Sequence, residues 1–285
     1  MLRRHDHIGY FFVFPYVAHF AVFIGFPLVF CLVLLVHRWD IVSPMVWVGT
    51  DNFAKLFRDN LFWQAMLNTG VFLLLHIPLQ LSLALFLALQ LNERIRLRGF
   101  FRAAFFLPVV VSGVVISILW DQLYAKDTGV LNALLGRLAL KPVGWLTEPW
   151  LAMPSIALMA TWKNVGLYIV LFLVGLQSVP PQLYEAADLD GAGAWHKFWR
   201  ITLPMLNPTV VMIVVLSTIG GFSLFIEPYI MTGGGPMNRT LSAMLYIYKQ
   251  GFFFYHMGYA ATLGVAFALI VLMVVMAQRR LVERD

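Results

Sequence analysis

The stretch Tyr184-Glu185-Ala186-Ala187-Asp188-Leu189-Asp190-Gly191, closed by Ile201-Thr202-Leu203-Pro204, decides how the rest of the chain is read. It is the longest predominantly polar, helix-compatible segment in a chain that is otherwise mostly lipid-soluble. Glu185 to Ala187 favours helix, and Gly191 permits a sharp turn. Trp195 to Arg200 forms a second short amphipathic run. Pro204 and Pro208 stand at the mouth of the next apolar segment, where proline is tolerated in a first helical turn. Two short helices joined at a glycine between membrane spans project from the membrane surface. That is the geometry of a docking element.

The surroundings are apolar. The 285 residues are 61% hydrophobic and 12% charged, with a mean hydropathy of +0.81. A soluble domain carries about 25% charged residues, so lipid must cover most of this surface. The net charge of +6 suits basic residues flanking membrane spans rather than a nucleic-acid site. Cys31 is the single cysteine and lies in an apolar run, which rules out an internal disulfide and supports no cysteine metal site. Met1-Leu2-Arg3-Arg4 resembles the start of a signal peptide, but the apolar run that follows is too long and lacks a small-x-small cleavage site. It reads as a retained first span.

Apolar runs of spanning length fall at 8–36, 66–91, 100–120, 153–176, 206–230 and 259–277. Six spans put both termini on one side. One set of flanking segments (1–7, 92–102, 177–207, 278–285) holds eleven Lys and Arg in 57 residues, whereas the opposite set holds eight in 89. The denser set, led by Arg94, Arg96, Arg98 and Arg102, is expected in the cytoplasm, and both termini with it. The outer segments contain interleaved aromatics and charge at 37–65, suited to an interfacial helix, and Thr232-Gly233-Gly234-Gly235-Pro236 after the fifth span. No repeat or soluble boundary appears, so residues 1–285 read as one all-α membrane domain.

No catalytic set can be assembled. The seven histidines offer no HExxH pair, there is no GxSxG or Cys–His pair, and no GxxxxGK[ST] loop is present to hold ATP. An integral membrane enzyme is therefore disfavoured. Polar residues do interrupt the spans: Lys163 and Asn164 in the fourth, Ser217, Gly220, Gly221, Ser223 and Glu227 in the fifth, and Asn68, His76 and Gln80 in the second. Charge in hydrocarbon is costly, so a polar pathway is one reading, with Lys163 and Glu227 attracting substrate hydroxyls or each other. Helix–helix glue and snorkelling are the other, and packing is favoured for His76 and Gln80. Tyr168, Phe172 and Phe222 offer rings to a sugar face, or pack.

Glu185-Ala186-Ala187, three residues, Gly191, nine residues and Ile201-Thr202-Leu203-Pro204 resemble the EAA signature of permease subunits of binding-protein-dependent ABC importers. Val48-Gly49-Thr50-Asp51-Asn52-Phe53, Asn68-Thr69, Leu107-Pro108, Gly129-Val130-Leu131-Asn132, Gly175-Leu176-Gln177-Ser178-Val179-Pro180 and Thr232 to Pro236 resemble the carbohydrate-uptake permeases of the maltose, lactose and glycerol-phosphate type. The Gly-Gly-Gly-Pro segment is similar to the first permease of a heterodimeric pair. The maltose representative carries additional amino-terminal spans and an external domain, so this chain is closer to the minimal six-span form.

The resemblance implies a type I importer permease fold with six transmembrane helices in a bacterial or archaeal inner membrane. It implies an ATPase-coupling role for Tyr184, Glu185, Ala186, Ala187, Asp188, Asp190, Gly191, Ile201, Leu203 and Pro204, with Leu183, Leu189 and Phe198 as apolar anchors. The implied partners are a second permease, two cytoplasmic ATPase subunits that bind ATP and Mg, and an extracytoplasmic solute-binding protein. This chain itself is expected to bind no cofactor and no nucleic acid. By the same resemblance Ala160, Lys163, Asn164, Leu167, Ser217, Gly221 and Leu224, with Glu227 at the rim, line the path of a di- or oligosaccharide. Uptake of a glycerol phosphate ester, suggested by Lys163, and an ion-driven secondary transporter are the alternatives. The latter calls for inverted repeats and intramembrane acids.

Overall fold

The computed structural model describes residues 6–93 and 96–282. Arg3, Arg4, His5, Arg94 and Arg284, which enter the charge and histidine arguments, lie outside the described residues. Helix α1 (Asp6–Phe20) widens at Ala21–Gly25, where the Phe26 N–H reaches back to the Ala21 carbonyl, and continues as α2 (Phe26–Leu34). The widening lies directly before Pro27, whose ring crowds the carbonyl four residues back. A hairpin of β1 (His37–Arg38) and β2 (Val46–Trp47) pairs His37 with Trp47 and leads to α3 (Asp51–Arg58). The long α4 (Asn60–Asn92) is followed by α5 (Arg98–Val110), α6 (Gly113–Tyr124), α7 (Val130–Arg137) and α8 (Ala152–Gln177). Short helices α9 (Pro181–Leu189), α10 (Ala194–Lys197) and α11 (Leu203–Met205) precede α12 (Asn207–Phe222) and α13 (Ile226–Met231). The chain closes with α14 (Ala243–Tyr248) and α15 (Met257–Val282).

Among the described residues, five stretches are long and apolar enough to cross a membrane: Tyr10–Leu34, Asn60–Asn92, Ala152–Gln177, Asn207–Met231 and Met257–Arg280. A sixth exists if α5 and α6 are one span, because these two helices meet at 99°. The apolar run 100–120 is thus a bent pair rather than a straight rod. Val111 and Ser112 are extended between the helices, three and four residues after Pro108.

The chain divides into two compact units, Met1–Asn60 with Tyr246–Leu269, and Leu61–Leu245 with Ile270–Asp285. In the first unit Asn52 donates to the carbonyls of Leu35 (2.9 Å) and His37 (3.0 Å) and so fixes the hairpin to α3. The Asp59 carboxylate accepts the hydroxyls of Tyr246 and Tyr259, and Lys55 sits 4.0 Å from the centre of the Tyr259 ring. In the second unit α8 is the central post. Its most apolar window is 61% buried, against 6% for the amino-terminal span, whose bare surface is what a lipid-facing helix presents. Two apolar clusters share α8. One gathers Ala84 and Leu91 of α4, Phe172 and Leu176 of α8, Leu206 and Ile213. The other gathers Phe72, Ile116, Tyr124, Ile156, Met159 and Leu224. Gly166 lets α5 lie directly on α8, since a Cβ there would stand 2.1 Å from the Phe105 carbonyl oxygen.

Candidate functional site

Two places gather the residues singled out by the sequence. The first is the loop after α8. Pro180 and Pro181 start α9 with the φ that a first turn needs, and Glu185, Ala186 and Ala187 lie in its body. Gly191 ends it with φ +74°, a left-handed value that any side chain would strain. The Gly191 N–H donates to Asp188 O (3.1 Å) and the Ala192 N–H to Ala187 O (2.8 Å). This paired closure satisfies carbonyls that the helix end leaves open.

The returning arm is tied to the first. Lys197 Nζ lies 2.7 Å from Asp188 Oδ1, and the hydroxyls of Tyr184 and buried Thr202 are hydrogen-bonded at 2.9 Å. The Asp188 side chain is 62% exposed, so that ion pair orients the arm more than it stabilises it. Glu185, Ala186, Asp190 and Pro204 are exposed, and Leu189 is 91% exposed; Ile201 and Leu203 are half-buried. Trp195 (74%) projects as well, beside Trp199 and Phe198. Leu189 and Trp195 thus present exposed apolar surface on this bracket. At its root the loop joins the core: Leu176 and Leu206 pack in one cluster, and α12 begins immediately after.

The second place is a cavity of about 270 Å³ between α4, α8, α12 and α13. Of the sequence-derived path residues, Ala160, Lys163, Asn164, Ser217, Gly221, Leu224 and Glu227 line it, while Leu167 does not. Tyr168, one position further along α8, takes its place in the wall, whereas Phe172 lies in the apolar cluster. His76, read from sequence as packing, also lines the cavity. It bonds Thr161 Oγ1 at 2.8 Å and stacks on Phe72 at 4.9 Å. The four-residue spacing of Phe72 and His76 on one helix face was the available signal for both. Gln80 is fully buried and is absent from the lining.

Lys163 Nζ and Glu227 Oε1 are 3.1 Å apart, with side chains 15% and 12% exposed. Of the two partners the sequence allowed each group, substrate hydroxyls or one another, the structure pairs them with one another. The lysine head lies over Gly113 at the bend between α5 and α6; a Cβ at that glycine would stand 2.8 Å from Nζ. Glu227 is placed by a break in the fifth span at Ser223–Phe225. The carbonyl of Leu224 that this break releases accepts the Ser242 hydroxyl at 2.6 Å.

The loop 232–240 above α13 is pinned in place. Thr232 and Thr240 share a hydrogen bond of 2.7 Å, and Asn68 donates to the carbonyls of Asn238 (2.7 Å) and Leu241 (3.0 Å). Asn68 is therefore a brace for this loop, and it does not line the cavity. Asn132 does the same for the segment after α6. It donates to Lys126 O and Val143 O, and accepts from the Val143 N–H and the Trp145 ring N–H.

The protein-family model described as "Binding-protein-dependent transport system inner membrane component" matches residues 80–284. The chain is 38% identical over 274 residues to the lactose transport system permease protein LacF of Rhizobium radiobacter, covering 94% of this chain and 92% of that one. A crystal structure of a bacterial ABC transporter involved in the import of the acidic polysaccharide alginate superposes with a TM-score of 0.85 at 27% identity, covering 99% of this chain and 96% of that one. A bacterial alginate ABC transporter in complex with alginate pentasaccharide-bound periplasmic protein gives the same TM-score and coverage at 26% identity. Such relatives are permeases, not enzymes. A bent, cavity-bearing helical membrane fold, matched over most of its length by this model, is a type I importer permease: the chain belongs to the family of binding-protein-dependent transport system inner membrane components, the multi-pass permease subunits of ABC importers.

Proposed function

We propose that this chain forms half of the translocation path of an ATP-driven oligosaccharide importer and couples to its ATPase through the loop 177–205. The cargo is delivered by an extracytoplasmic solute-binding protein, and a second permease supplies the other half of the path. Both termini and the coupling loop face the cytoplasm, where two ATPase subunits bind ATP and Mg. The observation that carries the coupling role is the bracket α9–Gly191–α10, braced within itself yet presenting Leu189 and Trp195 outward. Glu185, exposed on α9, offers a carboxylate to a basic group on the ATPase. Because Leu176 and Leu206 root the bracket in the α8–α12 core, a push on α9 is delivered to the two helices that wall the cavity. That is how rigid elements transmit a conformational change.

The test uses the assembled complex of both permeases and both ATPase subunits in proteoliposomes with its binding protein. Glu185→Lys and Gly191→Val are expected to insert and fold but to lose binding-protein-stimulated ATP hydrolysis and uptake together. Wild-type rates in the Glu185→Lys complex would remove the coupling assignment.

A further inference from the structure

The cavity between α8 and α12 has a charge balance that bears on its cargo. With histidine counted neutral, only Lys163 and Glu227 among its lining side chains carry a formal charge, and they face each other at 3.1 Å. We propose that this ion pair holds the cavity electrically neutral, so that this half of the path admits uncharged saccharides and turns away acidic ones, with Glu227 as the residue that sets the preference. The inference rests on the importer reading above and specifies the cargo class for the same site.

The placement of both charges supports it. The Lys163 ammonium lies at Gly113, the first residue of α6, where the helix dipole presents its positive end. A lone cation is disfavoured there, so Lys163 depends on a carboxylate. Glu227 stands near the start of α13, and α13 packs against both α6 and α8. The glutamate is thus held where it quenches the lysine. A carboxylate-bearing sugar approaching Lys163 meets Glu227 within the same few ångströms, and rejection by like charge is a recognised route to specificity. A neutral saccharide meets instead the Asn164 amide, the Tyr168 ring and the Ser217 hydroxyl. Ser217 Oγ is buried in the wall and has no hydrogen-bond partner among the described residues. A transporter of similar fold is involved in the import of the acidic polysaccharide alginate, which supplies the acidic cargo for the test.

The experiment follows the cavity directly, without the filter of the binding protein. Ser223, exposed and lining the cavity, is replaced in the assembled complex as Ser223→Cys on a Cys31→Ala background. Its labelling by a maleimide is then timed with lactose or with an alginate trisaccharide present. Lactose is expected to slow labelling about tenfold and the acidic trisaccharide to leave it unchanged. Glu227→Gln, which exposes the lysine charge, is expected to reverse this order. Lys163→Met with Glu227→Gln, which removes both charges, should keep protection by lactose. Protection of the unmodified pair by the acidic trisaccharide overturns the proposal, and so does loss of lactose protection in the double variant. If Glu227→Gln fails to assemble, the double variant still decides between these results. Failure of the underlying reading is distinct: neither sugar then protects any variant, and the complete complex imports no saccharide.

Discussion

An ammonium 3.1 Å from a carboxylate, with both side chains at or below 15% exposure, is secure only while both are present. Removing one partner of a buried pair leaves an uncompensated charge, which costs about 3–5 kcal/mol. Lys163→Met alone should therefore lower the thermal midpoint of the solubilised complex, whereas Lys163→Met with Glu227→Gln should recover most of the loss. Equal midpoints for the single and double variants would mean that the two groups do not depend on each other. At Gly191, φ +74° makes any side chain strained; Gly191→Val should weaken the closure of α9 by about 1 kcal/mol or more before any effect on coupling is counted. Sequence reading found Lys163, Asn164, Ser217 and Glu227 because polar atoms in an apolar run stand out. It included Leu167 from the resemblance to carbohydrate-uptake permeases, and it assigned His76 to packing without weighing its four-residue spacing from Phe72.

At the scale of elements, hydropathy identifies the run 100–120 but carries no information about direction. The bend of 99° was signalled by Pro108 and by Ser112-Gly113, a pattern that punctuates chains. The contact that holds α5 to α8 is invisible to hydropathy, because it depends on the absence of a side chain at Gly166. Gly166→Val should push α5 off α8 at Phe105 and destabilise the complex by about 1–3 kcal/mol, an overpacking effect readable as a lower midpoint and a lower yield. The hairpin of β1 and β2 was not legible either, as it is two residues per strand and held by Asn52 from α3.

In the first unit His256 bonds Gln250 Oε1 at 3.0 Å, and burial, followed by the positive charge of Lys55, lowers its pKa below the ordinary 6.5. The unfolded chain therefore takes up this proton first as pH falls. The stability that neutral His256 contributes is complete above about 6.5 and fades as pH falls through that value toward the lowered one. A midpoint that falls with acidification less steeply in His256→Gln than in the parent is the expected result.

Over the whole molecule, the apolar runs were legible because spans of about 20 residues stand out in hydropathy, whereas the polar side chains buried between them, such as Thr69, Gln80 and Ser117, leave no periodic trace. The partition into Met1–Asn60 with Tyr246–Leu269 and a second unit depends on pairings far apart in sequence, such as Tyr246 with Asp59, which periodicity does not reveal. On the proposed function a lone subunit has one bracket and half a path, so this chain reconstituted by itself should transport nothing; uptake by the lone chain would favour the ion-driven alternative. The most direct measurement of the central claim is ATP hydrolysis by the reconstituted complex, recorded with its binding protein empty and then loaded with an uncharged oligosaccharide. The account predicts that loading raises hydrolysis and drives uptake, and that Glu185→Lys abolishes both while the complex stays assembled. Hydrolysis and uptake unchanged by Glu185→Lys would contradict it.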